Sequence, residues 1–373
     1  MDLDAFRRLE PLCWRAPSAH NTQPWRLRYE PGAIRVGWDP AHTLPAGDPT
    51  GRDLRLSLGA FVETCLIVAA DADLHLEYVA EHDDRWVGRL QPTRHRYRTP
   101  FRTTDVWDRR TDRGRFVGGP EPDALAAVDR VARQAGGSVR VVPHAGRLGA
   151  LLRAADRHLY ADPAITTELR RWLRLDPAHP HYHADGLTDR CLALSPPAAM
   201  GLRAALAAYP VLRPLGLPRL LAVADDPLAR GGTVLALVAP ISLDQAGQVE
   251  FGRVLLRCWL TLHAAGLATH PLSQLIDVVA TRTALGTLLD VAPDRLLHVA
   301  RVGRPTRPAP RSARRVAGGP PPTPRATSRP DRWHAAPTSS APAGLTYGGE
   351  GCRNTPVSAR DHSDSARIGL EGG

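Results

Sequence analysis

The sequence predicts an α+β fold, with helices and strands mixed outside the regular β–α–β rhythm of a doubly wound sheet. Three observations support it. "WRLRYE" and "AIRVGWD" alternate apolar and polar residues on either side of Pro31-Gly32, as the arms of a hairpin do. "QVEFGRVLLRCWLTLHAAGLA" places Val249, Val254, Leu255, Cys258, Leu262 and Ala265 on one broad face and ends near Gly266, the pattern of a long core helix with a C-terminal stop. Strand candidates at 219–225 and 233–240 follow one another with no helix between them.

The elements follow in chain order. Leu3, Phe6, Leu9 and Cys13 recur at near-helical spacing, and Pro11 is expected to kink or shorten that helix. The hairpin comes next. From Asp48 a cap signal and a long apolar run predict a buried helix, and "LHLEYVAE" a strand. Residues 91–107, basic and with two prolines, read as a connector. "EPDALAAVDRVARQAG" is a helix ending at glycine, "SVRVVP" a strand and "HAGRLGALLRAADRHLY" a helix, with a further helix over 163–173. "DPAHPHYHADG" is irregular, and the segment after it is mostly helical, broken at Pro210, Pro214 and Pro218. "RLLHVARVG" supplies the last strand. Beyond Val316 proline and glycine dominate and large apolar side chains almost vanish, the composition of a disordered tail.

Composition bounds the chemistry. The chain has 373 residues and a net charge of +10, and all 48 of its basic Lys/Arg positions are arginine. Without lysine there is no Schiff-base nucleophile and no P-loop lysine. Anions must be held by guanidinium forks, backbone amides or helix N-termini. Arginines cluster in "RHRYR" (94–98) and between Arg301 and Arg315, yet no zinc finger, RRM box or basic heptad helix accompanies them, so no nucleic-acid partner is expected. The five cysteines are scattered with no CxxC pair, which indicates neither a disulfide framework nor a zinc site. His179, His181 and His183 sit in a proline-containing loop and read as a solvated trio, so no metal is expected. No apolar run reaches the ~18–20 residues of a membrane span, and the acidic opening "MDLDAFRRLE" lacks a signal pattern. A cytoplasmic protein with no membrane partner is expected.

Four stretches could carry chemistry. In "RAPSAHNTQPWRLRY", Ser18 to Asn21 could form a capped turn and Trp25 anchor the core; alternatively Asn21 and Gln23, each both donor and acceptor, suit the alternating edge of a flavin pyrimidine ring. "DRRTDRGRF" is either a solvated charge run or a phosphate site of arginine forks and a hydroxyl. "HAAGLATHPLSQLID" is either a plain helix-to-loop turn or a backbone-lined edge at Pro271, Leu272 and Ser273. Arg314 and Arg315 are either loose charge or anion ligands.

"APSAHNTQPW" closely resembles the APSxxNxQPW signature of the FMN-dependent nitroreductase superfamily, and "RRTDRGRF" resembles its RRSxRxF box. The resemblance covers about residues 1 to 316. The Asn/Gln motif here precedes the arginine box, the reverse of ordinary nitroreductases, and this order resembles the Acg family of actinobacterial FMN-binding proteins. "DPTGRDLRLSLGAF" and "LRRWLRLDP" with "HYHADGL" also look like that family. The resemblance implies two fused halves, 1–105 and 106–316, each a mainly antiparallel sheet flanked by helices. It also implies a lid insert at about 163–218, a separate tail over 317–373 and one composite FMN site.

Carried over by position, Arg109, Thr111 and Arg113 would hold the phosphate and ribityl end, with Arg314 and Arg315 near the phosphate or the pyrimidine side. Thr111 stands where serine is usual and keeps the hydroxyl. Pro17, Ser18, Ala19 and Asn21 would pack on or bond to the isoalloxazine, and Pro271, Leu272 and Ser273 would line it near N5. No catalytic side chain is implied, because FMN supplies the chemistry. The implied activity is transfer of hydride from NAD(P)H through FMN to a nitroaromatic, quinone or similar planar acceptor, by a monomer or a homodimer. The alternative is an FMN-sequestering protein with a closed lid.

Overall fold

Helix α1 (Leu3–Cys13) holds Pro11 in its final turn and ends two residues beyond it. The computed structural model describes residues 3–81, 83, 85–143, 146–224 and 226–315. The tail expected over 317–373 lies outside the described residues. Strands β1 (Trp25–Glu30) and β2 (Ala33–Trp38) form the expected hairpin, with Glu30 opposite Ala33 and Gly32 turning at φ 79°. Helix α2 (Arg52–Asp71) follows, and the Asp48 carboxylate accepts from the Leu54 amide at 2.8 Å, which meets the expected cap signal. Strands β3 (Leu76–Ala80) and β4 (Trp86–Pro92) complete an antiparallel sheet in the order β1-β2-β4-β3. The expected connector contains the end of β4 and a short helix α3 (Thr103–Asp108), stopped by the extended backbone of Arg109.

Next come β5 (Phe116–Val117), α4 (Pro122–Arg133), β6 (Ser138–Val142) and α5 (Arg147–Ala161). Helix α6 (Pro163–Trp172) starts where its propensities require: Pro163 needs no amide partner, and the Asp162 carboxylate accepts from the amides of Ala164 and Ile165. Short strands β7 (Leu173–Arg174) and β8 (Leu187–Thr188) pair in parallel across the irregular loop. Helices α7 (Pro196–Ala207), α8 (Tyr209–Leu212) and α9 (Leu217–Ala224) follow. The strand expected over 219–225 is corrected: residues 219–224 belong to helix α9, and 225 lies outside the described residues. Gly216, at φ 95°, reverses the chain, Pro218 sits in the first helical turn, and Ala222 is buried while Leu220 and Val223 point outward. A short apolar run cannot by itself separate these two outcomes.

The last part holds β9 (Thr233–Val238), α10 (Gln245–Ala264), β10 (Ala268–Pro271), α11 (Gln274–Asp277), α12 (Val279–Leu289) and β11 (Leu296–Pro305). These strands build a second antiparallel sheet ordered β10-β11-β9-β6, with β5 on the far end of β11. Strand β9 reads as an unbroken apolar run because both of its faces are covered. Leu235 and Leu237 pack with α4 and α10, whereas Val234, Ala236 and Val238 pack with α5, α11 and α12.

Helices α2 and α10 pack side by side. A β-carbon on Gly59 would lie 1.9 Å from the Val249 carbonyl oxygen, and one on Gly252 would lie 2.3 Å from that of Leu56. Glycine is what allows the backbones to approach this closely. Beside the crossing, the buried Glu63 carboxylate accepts from Arg253 Nε at 3.0 Å and from the Tyr97 hydroxyl at 2.6 Å.

Candidate functional site

A cavity of about 350 Å³ opens alongside this helix pair. Its walls come from the 17–21 loop, α2, α10, the arginine box, the β10–α11 turn and β11. Its cover comes from α5 (Leu159, Tyr160), α6 (Ile165, Leu169) and the loop of Leu187 and Cys191. None of its lining residues belongs to α7, α8 or α9, so the cover draws on 156–192 while the insert expected at 163–218 extends past it. Its size lies in the ~300–1,000 Å³ range of small-molecule sites.

The opening motif enters the cavity through a strained loop. His20, Asn21 and Gln23 adopt φ of 46°, 55° and 53°, which side-chain-bearing residues seldom take. Pro17, Ser18, Ala19 and Asn21 line the cavity, as does His20. The carboxamides hold the loop in place. Asn21 Nδ2 donates to the carbonyls of Gly186 and Ala313, both at 3.1 Å, while Oδ1 accepts from Arg314 Nη1 at 2.8 Å. Gln23 Nε2 donates to the Ala184 carbonyl at 2.9 Å, and Oε1 accepts from the Arg315 amide at 2.9 Å. The two side chains thus tie residues 184–186 and 313–315 to the opening loop. Of the expected flavin-edge pair, Asn21 lines the cavity with one lone pair uncommitted, whereas Gln23 is fully buried and does not line it.

The arginine box docks on the edge of β10. Thr111 bridges to Thr269, and the Asp112 amide donates to the Thr269 carbonyl at 3.0 Å, which brings Arg109, Thr111 and Arg113 into the cavity wall beside His270 and Pro271. Arg109 is buried, and its Nη1 has no hydrogen-bond partner. Burial, and then the nearby Arg15 and Arg110 guanidiniums, push it down to about 9. Its guanidinium sits 5.2 Å from the Trp259 ring, which also meets His298 edge-on at 5.3 Å. Arg113 Nη1 donates to the Cys191 carbonyl at 3.1 Å, joining the box to the cover.

The remaining expected residues divide. Pro271 and Ser273 line the cavity; Leu272 does not, because its amide pairs with Val299 and its side chain packs under the sheet. Arg314 lines the cavity, but its donors are spent on the carbonyls of Trp14, Arg15, Ala16 and Ala313, on Ser312 and on Asn21. It clamps the chain's last described residues and has no donor left for a phosphate. Arg315 lies outside the cavity, against His42, the Gln23 carbonyl and the Trp14 ring.

Several lining residues went unnoticed in the sequence. His20 and His298 are pushed down to about 4, chiefly by burial, and His270 well below its ordinary value; all three are neutral at pH 7. One signal existed for His298, a polar residue inside the otherwise apolar strand "RLLHVARVG". Trp259 gave none. Asp48, Asp53 and Asp277 form an acidic wall around the buried Arg52, which donates to Asp53 at 2.8 Å and also to Asp277. Burial, and then Asp53, push Asp48 and Asp277 upward. Only the fold brings these carboxylates together. Among the described residues no group of three His, Cys, Asp or Glu side chains is arranged to hold a metal ion.

The opening loop and the arginine box, the two stretches that resemble nitroreductase motifs, both reach the cavity wall. No family model matches the chain. Over 291 residues it is 28% identical to "Putative NAD(P)H nitroreductase Rv3131" of Mycobacterium tuberculosis strain H37Rv, a match that spans 76% of this chain and 80% of that protein. The counterpart in strain CDC 1551, "Putative NAD(P)H nitroreductase MT3217", matches equally.

Solved structures give looser likenesses. A point mutant of the FMN- and NADPH-dependent nitroreductase NfnB of Sphigopyxis sp. strain HMH is 17% identical with a TM-score of 0.32 over 56% of this chain and 93% of that one. NfnB of Mycobacterium smegmatis in complex with NADPH is 19% identical with a TM-score of 0.29, over 55% and 87% of the two chains. Among the described residues no helix is long and apolar enough to cross a membrane.

Proposed function

We propose that the chain binds one FMN in this cavity and passes hydride from NAD(P)H to a small planar acceptor such as a nitroaromatic or a quinone. The observation that carries the reading is Arg109: a buried guanidinium with an orphaned Nη1 on a cavity wall is a site for an anionic group such as a phosphate. The names of the mycobacterial relatives favour the same activity. When bound, the flavin supplies two-electron chemistry that this chain's side chains lack.

The chain's own residues then have separate tasks. Arg109 and Arg113 hold the anionic end and Thr111 offers a hydroxyl. Pro17, Ser18 and Ala19 present a stiff edge to a ring, and Pro271 and Ser273 line another. Leu159, Ile165 and Leu169 of the cover exclude water. In this reading 1–105 supplies the ring-binding loop and 106–316 the arginine box, two fused halves of an Acg-like monomer. The test is an anaerobic absorption spectrum of the purified protein before and after NADPH: yellow protein that bleaches and recovers its colour on adding a nitroaromatic supports the reading, and colourless protein that takes up no FMN ends it.

A second reading, FMN sequestration, is favoured by one feature. The Glu168 carboxylate on α6 accepts from the amides of Ala46 and Gly47 at 3.0 and 2.8 Å and latches the cover across the cavity. If sequestration is the function, Glu168→Ala gains NADPH oxidation that the parent lacks. If turnover is the function, the parent already oxidises NADPH.

A further inference from the structure

Of the nine large apolar side chains exposed among the described residues, five lie within 24 positions of the α7–α9 segment: Met200, Val211, Leu215, Leu220 and Val223, each 62–78% exposed. Exposed apolar side chains gathered in one segment, rather than scattered singly over the surface, are a feature of interaction surfaces. The segment Pro196–Ala224 contains Arg203, Arg213 and Arg219, all exposed, and no aspartate or glutamate; Arg203 is paired with Asp176 outside the segment, which leaves Arg213 and Arg219 as its cations without an acid partner in that segment. On α9, Arg219, Leu220 and Val223 share the outward face while Leu217 and Ala222 point inward. Apolar side chains interleaved with arginines and free of acids have the chemistry of a segment that lies on an anionic lipid surface.

We propose that α7–α9 is a peripheral membrane-contact surface, its apolar side chains entering the headgroup boundary and its arginines meeting anionic lipid. That no helix among the described residues is long and apolar enough to cross a membrane bears on spanning and not on surface contact. A second copy of the chain fits less well, because face-to-face pairing would bring Arg213 and Arg219 of both copies together with no acid from either segment, Arg203 being already paired with Asp176. The placement also links the surface to the cavity. The Tyr209 hydroxyl donates to the Tyr160 carbonyl at 2.6 Å, and Arg213 Nε donates to that of Ala161 at 3.2 Å. Tyr160 lines the cavity, so the surface rests on the back of its cover.

The test is co-sedimentation of the full chain with vesicles of phosphatidylcholine, with or without phosphatidylglycerol. The protein is expected to bind the anionic vesicles, and to do so several-fold more weakly when salt rises from about 0.05 to about 0.5 M. Leu215→Ser, Leu220→Ser and Val223→Ser together should weaken binding at least about tenfold while leaving melting temperature and FMN uptake unchanged. Arg219→Glu, a single exposed change, should weaken it at least about fivefold. Three outcomes overturn the proposal: no sedimentation with anionic vesicles, equal binding by these variants, or a concentration-dependent dimer that the triple variant abolishes while neither protein binds lipid.

Discussion

Replacing Arg109 by methionine is expected to push the stability of the FMN-free protein and its affinity for FMN in opposite directions. In the folded chain burial pushes the guanidinium down to about 9, well below its ordinary value, which at 1.36 kcal/mol per pH unit is a penalty on the order of 5 kcal/mol on the charged form. Because the folded value lies below the unfolded one, this penalty is fully present at pH 7 and is relieved only as pH rises above 9 toward the ordinary guanidinium value. Methionine removes it. The variant loses the contact with Trp259 at 5.2 Å, so a net gain of about 1–4 kcal/mol is the reasonable range for an apolar replacement. At about 2–4 °C per kcal/mol, the melting temperature of the FMN-free protein should rise by roughly 2–16 °C. Losing a charge-assisted hydrogen bond of about 1.5–3 kcal/mol should weaken FMN binding by about 10- to 100-fold. Scanning calorimetry of flavin-free protein reads the first effect, and quenching of FMN fluorescence the second. Unchanged FMN affinity would refute the assignment of Arg109 to an anionic group, and a fall in stability would refute the uncompensated-charge argument.

Three further outcomes are expected. Gly252→Ala forces a β-carbon to within 2.3 Å of the Leu56 carbonyl oxygen and should cost about 1–3 kcal/mol or more, read from urea unfolding. Asn21→Ala removes two bonds to the Gly186 and Ala313 carbonyls and one from Arg314, and puts alanine at φ 55°; a loss of about 2–4 kcal/mol, with faster proteolysis near 186 and 313, should follow. For pH, His298 drops from 6.5 to about 4 on folding, so the unfolded chain takes up a proton first and the stability tied to this ring is lost as pH falls from 6.5 through 4. The stability difference between wild type and His298→Asn should therefore shrink by about 3 kcal/mol between pH 7 and pH 4. The opposing contributions of Asp48 and Asp277 cancel in that difference, and a flat result would count against a neutral buried imidazole.

How far the sequence could be read depended on how local each signal was. The hairpin at Pro31-Gly32 and helix α10 were legible because alternation and helical spacing lie within one segment. Helix α9 was misread because "RLLAVAD" is too short for its period to decide. Strand β10 went unseen, since four residues owe their strand state to β11. At the site, both motif stretches contribute residues to the cavity wall. The sequence could not show which atoms remain uncommitted: Asn21, Gln23 and Arg314 have the right chemistry for a ligand, yet much of it is spent on protein groups up to 300 positions away. Asp48, Asp53, Asp277, Trp259 and His298 come together only through the packing of α2, α10 and β11.

The contact between Gly59 and Gly252 reaches beyond the core it closes. Leu56 and Ala60 stand beside one of these glycines and Leu255 lies one turn from the other, and all three face the cavity. The two helices act as the jaws of a calliper whose pivot is the glycine pair. A single methyl group added at the pivot spreads the jaws, so the bore of the chamber can be reset by a residue that never touches its occupant.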